Sequence, residues 1–127
     1  MNKTSPFDYL VHWYWISDEE LEKEMEAYSY KLINQIHYLL YGKKEYGNPT
    51  NLSEFRKAVD NFYEYYKESA RALGDAIIKA SECVDQEDLL KAKAIYTDFI
   101  NSKYSDFHRS IAKQYVQEIE TGRIMDN

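Results

Sequence analysis

Apolar residues recur along this chain at steps of three and four, and the longest unbroken run of that kind covers residues 52–84. Leu52, Phe55, Val59, Phe62, Tyr66, Ala70, Leu73, Ile77, Ala80 and Val84 fall on one line of a helix surface. At about 1.5 Å per residue the helix they describe runs roughly 50 Å, so it needs partners of comparable length to cover that face. A second, narrower stripe, Ala58, Tyr65, Ser69, Ala72 and Ala76, is small apart from the tyrosine. Small side chains permit close backbone approach, which lets two neighbours pack on this helix instead of one. Gly74 in its interior costs about 1 kcal/mol relative to alanine and marks a close crossing or a slight bend.

Two more stripes supply the partners. Leu21, Met25, Tyr28, Leu32, Ile36 and Leu39, widened by Ile33 and Leu40, predict a helix over residues 18–41. Ser17 and Glu20 open it at capping-box spacing, Gly42 closes it, and Lys43 and Lys44 favour its carboxyl end. Leu89, Ala92, Tyr96, Phe99, Ile100, Tyr104, Phe107, Ile111, Tyr115 and Ile119 predict a last helix over residues 86–121 that stops at Gly122. One clear loop, residues 42–51, carries Gly42, Gly47, Asn48 and Pro49, and Asn51 with Glu54 makes a capping-box-like start after it. Between the second and third long helices stand only Asp85, Gln86, Glu87 and Asp88, an acidic start signal without glycine or proline. The chain either breaks there by capping alone, near residues 83–85, or merely kinks. Short connections make neighbours antiparallel. The expected fold is therefore all-α: an up-down antiparallel bundle of three long helices in one domain spanning residues 1–127, with residues 123–127 as a frayed tail.

The amino-terminal segment breaks the pattern. Ser5 and Pro6 make a good helix start, and residues 7–16, FDYLVHWYWI, follow as a short aromatic helix or ordered arm. Both tryptophans, Trp13 and Trp15, lie here beside Tyr9 and Tyr14, and one short helix cannot point all of these rings inward. The segment is either a lid over one end of the bundle, the commoner use of such runs, or an interaction surface. The bundle is closed by this segment or by a second copy of the chain.

Composition narrows the function. With 127 residues and 44% apolar content the chain has room for one core. Its net charge is −6, and Asp18, Glu19, Glu20, Glu22, Glu24 and Glu26 are opposed locally by Lys23 alone. Such a run repels a phosphate backbone, which argues against nucleic-acid binding. It serves as a solvated first turn favoured by the helix dipole, and it also suits a basic surface on another protein. Cys83 is the single cysteine, read as a buried apolar residue near a helix end. No stretch approaches the roughly 20 apolar residues of a membrane span, and no signal-peptide pattern follows Met1. A soluble cytoplasmic protein is expected.

Candidate chemistry is sparse. His12, His37 and His108 fall on different segments, and none belongs to a Glu-x-x-His pattern, so neither a metal nor another cofactor is expected. His37 and His108 each follow a core position and read as edge histidines with one hydrogen bond. No zinc-protease, Cys-x-x-Cys, phosphate-loop or nucleophile-elbow motif is present. The carboxylate pairs Asp18 with Glu22 and Glu20 with Glu24 lie on a solvated face, where a raised pKa for acid-base work is not supported. These features argue against an enzyme. Aromatic surface remains: Tyr14, Tyr30, Tyr38, Tyr41, Tyr46, Tyr63 and Tyr65 are too many for the core stripes, and as a set they point to an interface.

Residues 53–120 carry a resemblance as well. The long helix containing AVDNFYEYYKESARAL (residues 58–73), the short acidic break VDQEDLL (residues 84–90) and a second long helix with Tyr104, Arg109 and Tyr115 resemble the phasins, helical proteins that coat intracellular polyester granules. That resemblance implies a non-catalytic coat protein whose amphipathic helices lie on an apolar surface as an oligomer. The residues themselves point first to a non-catalytic helical protein-binding module of inhibitor or adaptor type, self-associating or engaging one protein partner. Trp13, Tyr14 and Trp15 are its expected anchors, and Glu19, Glu22 and Glu26 would steer it toward a basic surface.

Overall fold

Local capping bonds set where the helices begin. In the computed structural model, which describes residues 5–42, 47 and 49–122, every regular element among the described residues is helical: α1 (Pro6–Trp15), α2 (Asp18–Tyr41), α3 (Leu52–Asp85), α4 (Leu89–Ile100) and α5 (Asp106–Glu120). Ser5 Oγ accepts from the Phe7 amide at 3.2 Å while Asp8 accepts from the Ser5 amide at 3.2 Å, so α1 starts in a capping box. Ser17 Oγ caps the Glu20 amide, and Asn51 Oδ1 caps the Glu54 amide at 2.9 Å. Gly42, at φ 71°, closes α2 in the left-handed conformation, its amide donating to Tyr38 O. The expected places of the Tyr28 and Tyr30 side chains, of Lys43, Lys44, Tyr46 and Asn48, and of the tail 123–127 lie outside the described residues.

The chain gathers into two compact units, Met1–Tyr66 and Lys67–Asn127. Residues 52–66 of α3 belong to the first and residues 67–85 to the second. In the first unit α1 buries Phe7, Leu10 and Trp13, three residues at one-turn spacing. Phe7 meets Tyr66 at a ring-centroid distance of 4.6 Å and Trp13 meets Phe55 at 5.1 Å, so α1 runs counter to this part of α3. Leu21, Ile33, Ile36 and Leu40 of α2 and Phe55, Ala58, Val59 and Phe62 of α3 are buried with them. Asn34 and Gly47 exchange two hydrogen bonds, 3.0 and 3.3 Å, which tie the loop after α2 back to that helix.

In the second unit Leu73, Ala80 and Cys83 of α3 share a core with Ala92, Tyr96, Phe99, Ala112 and Ile119. α4 and α5 form an antiparallel hairpin, with Lys93 on Glu120 at 3.2 Å and Tyr96 stacked on Tyr115 at 5.2 Å. The break before α4 is complete. The Asp88 amide donates to Cys83 O and the Glu87 amide to Val84 O, with Glu87 at φ 62°, so a glutamate occupies the left-handed position that usually takes glycine. Asp88 then caps α4 through the Lys91 amide, and the helix starts at Leu89 instead of residue 86.

The expected third long helix is two helices, because residues 101–105 leave it. Ser102 Oγ donates to Phe99 O, and Ser105 Oγ caps the His108 amide at 3.1 Å; side-chain oxygens that offer such local bonds compete with helix continuation. Over the first turns of α5 the buried positions move on by one residue, whereas Ile119 is buried as its spacing predicts. His108, Ala112 and Ile119 are buried in α5, while Phe107, Ile111 and Tyr115 are half-buried. His108 is accordingly a core residue and not the edge histidine its sequence position suggested.

Candidate functional site: an aromatic corner at the end of α1

Successive helical residues turn by about 100°, so Trp13 and Trp15 point to nearly opposite sides of α1 with Tyr14 between them. Tertiary packing decides which tryptophan goes inward. Trp13 is fully buried against Phe55, and its indole N–H donates to Glu24 Oε1 at 3.0 Å, which satisfies the one polar atom of the ring. Trp13 is therefore a core residue and is not available as a surface anchor. Trp15 is 72% exposed.

Arg56 of α3 holds the carboxyl end of α1 in place. Its guanidinium donates to Trp13 O at 3.0 Å, Tyr14 O at 3.5 Å and Ile16 O at 2.8 Å, and to Asp18 Oδ1 at 2.9 Å. A helix leaves its last carbonyls without intrahelical donors, and a positive charge there also complements the dipole. One side chain thus satisfies the end of α1 and joins it to the first turn of α2.

With the helix end fixed, the rings assemble. Tyr14 stacks on Tyr63 of α3 at 3.8 Å and 18°, and Trp15 stands nearly perpendicular to both, 5.1 Å and 86° from Tyr14 and 6.4 Å and 79° from Tyr63. The Tyr14 hydroxyl donates to Glu64 Oε1 at 3.1 Å. That bond, then burial, then the negative charges of Glu64 and Asp60 push the Tyr14 pKa above its ordinary value. The structure thus brings Tyr14 and Trp15 together with Tyr63, Glu64 and Asp60. Glu19, Glu22 and Glu26 are exposed on α2. Tyr63 was legible as one of the surplus tyrosines, whereas no pattern in the sequence singles out Arg56, Asp60 or Glu64.

Other places offer less. His12 Nε2 lies 3.9 Å from Glu24 Oε1 on α2, and His37 sits among the rings of Tyr41 and Phe62. His108 Nδ1 contacts Ser105 Oγ, the Ser105 amide donates to Ser69 Oγ at 2.9 Å, and burial lowers the His108 pKa to about 4. Ser69, Ser105 and His108 are all buried, and Ser105 Oγ is already engaged as the cap of α5, so the trio builds a helix start. A depression of about 200 Å³ is lined by Gln114, Gln117, Glu118 and Thr121, consecutive turns at the end of one helix, and brings no groups together from different elements. Among the described residues no group of three histidine, cysteine or carboxylate side chains could hold a metal ion, and no helix is long and apolar enough to cross a membrane. Compared with family models, curated proteins and solved structures, the chain matches none.

Proposed function

We propose that this chain is a non-catalytic, helical protein-binding module of inhibitor or adaptor type that acts in the cytoplasm and docks through the Tyr14–Trp15–Tyr63 corner. The observation that carries the reading is Trp15, a large ring left 72% exposed yet held by two neighbouring rings. An exposed aromatic side chain that is already ordered loses little freedom on binding, the property that makes tryptophan and tyrosine strong interface anchors. The exposed carboxylates Glu19, Glu22 and Glu26 add a negative field that speeds encounter with a basic surface. Trp13 supports the corner from inside.

Trp15→Ala tests this reading, with partner capture from the host measured at low and high salt. Capture is expected to fall about tenfold or more while helicity stays at the parent value, as for loss of a hot-spot tryptophan at an exposed position. Undiminished capture by Trp15→Ala would remove the reading.

The phasin-like coat is the second reading, favoured by Ile78 at 61% and Leu90 at 83% exposure in the second unit. Much of the apolar stripe of α3 is covered, since Phe55, Val59, Phe62, Leu73 and Ala80 are buried. Coating a particle with that stripe would require the helices to open. Saturable binding to polyester particles that is indifferent to salt would favour it over the charge-steered contact.

A further inference from the structure

Resting on the docking reading above, we infer that the Tyr14–Trp15–Tyr63 corner seats an arginine guanidinium presented by an exposed basic segment of a partner protein. The rings supply two walls at nearly right angles, one from the parallel pair Tyr14 and Tyr63 and one from Trp15. Aromatic faces carry negative potential, and a cation held against them is attracted most strongly by tryptophan and tyrosine. A planar guanidinium can stack on one wall and turn its N–H edge toward a carboxylate, which the compact, strongly hydrated ammonium of lysine does less well.

The carboxylate is in place. Glu64 is exposed, its position set by the Tyr14 hydroxyl, and a carboxylate accepts more than the single bond that hydroxyl gives it. Asp60, one turn before Glu64 on α3, adds to the negative field felt at Tyr14. Arg56, one turn before Asp60 on α3, is committed to Asp18 and to the carbonyls of Trp13, Tyr14 and Ile16, with its side chain only 21% exposed. It closes the end of α1. The net charge of −6 favours the same kind of partner at longer range. Trp15, 72% exposed, presents its ring at the surface, which fits a side chain delivered on a larger partner better than a free small ligand in an enclosed pocket.

The test uses the full chain and three capped peptides identical except at two positions: Gly-Arg-Gly-Arg-Gly, its lysine analogue and its citrulline analogue. Citrulline keeps the planar shape and removes the charge. Binding is read from the Trp15 indole N–H resonance and from tryptophan emission, with buried Trp13 as the internal standard. The arginine peptide is expected to shift Trp15 saturably, the lysine peptide to bind about threefold more weakly, and the citrulline peptide about tenfold more weakly. Trp15→Ala should abolish the response of the Tyr63 ring. Glu64→Gln, which keeps an acceptor for Tyr14, should weaken the arginine peptide about threefold and flatten its salt dependence. Equal binding of the arginine and citrulline peptides, or no Trp15 shift with any of them, overturns the cation seat. If host-partner capture still depends on Trp15 in that case, the docking surface stands and only its cation chemistry falls. If capture ignores Trp15, the docking reading itself has failed, whatever the peptides do.

Discussion

Arg56 in the first unit and Arg109 in the second each close the end of a helix and join it to the start of the next. Arg56 donates to the carbonyls of Trp13, Tyr14 and Ile16 and to Asp18, partners 38 to 43 positions away in sequence. Arg109 donates to the carbonyls of Ile100 and Tyr104 and to Asp106, partners 3 to 9 positions away. The receiving helix begins with Ser-Asp in both cases, Ser17-Asp18 and Ser105-Asp106, and each serine caps the amide three residues on. A guanidinium with several N–H donors is well suited to gather carbonyls that the helix itself leaves unbonded. The difference lies in what each clasp fastens: Arg109 staples a local turn, whereas Arg56 fastens α1 to a helix distant in sequence and thereby positions the aromatic corner.

That contrast can be broken by experiment. Arg56→Met should have the largest effect. It leaves the Trp13 and Ile16 carbonyls without their charged donor, at a cost of about 3 kcal/mol in urea unfolding followed by Trp13 emission. Amide exchange should speed throughout α1, and the Trp15 ring should lose its fixed angle to Tyr14. Protection of α1 equal to that of the parent would show that Trp13 packing alone holds the helix.

Acid should act next, and on the second unit. His108 stands where Glu20 stands in the first, three residues after the capping serine, but it is buried, with a pKa lowered from 6.5 to about 4. Between those values the unfolded chain takes up a proton that the folded chain refuses, so stability falls as pH drops from 6.5 toward 4 and is fully present above that window. The loss is on the order of 2 kcal/mol. His108→Gln should flatten this part of the pH profile, and a profile shared by both proteins would assign the acid sensitivity to carboxylates instead. Arg109→Met should have the smallest effect, about 1 kcal/mol, because its partners lie within nine positions of it and chain connectivity keeps them together without the clasp. A cost matching that of Arg56→Met would erase the distinction between the local and the long-range clasp.

How far the sequence could be read follows the same division. Ser5, Ser17, Gly42 and Asn51 act on residues within four positions of themselves, and their helix ends stand where the sequence places them. Ser105 works in the same local way but was masked. Tyr104, Phe107 and Ile111 happen to continue the apolar spacing of Tyr96 and Ile100 across the break, so periodicity carried one helix through a turn that Asn101, Ser102 and Ser105 had marked. In the aromatic segment the sequence shows that the rings cannot all point inward, and it offers Trp13 and Trp15 alike as anchors. The choice came from Phe55 and Glu24, which receive Trp13, and from Tyr63, which leaves Trp15 standing in solvent.

By itself, then, the sequence determined that the chain is helical, where most helices start and which residues share a face, because capping bonds and the 3.6-residue period depend on neighbours within one turn. Tertiary structure alone decided that Arg56 would clasp α1, that Trp13 would be core, and that Tyr14, Trp15, Tyr63 and Glu64 would meet. Those outcomes rest on contacts between residues up to 50 positions apart, whose rings and charges sit together only after the apolar faces have found one another.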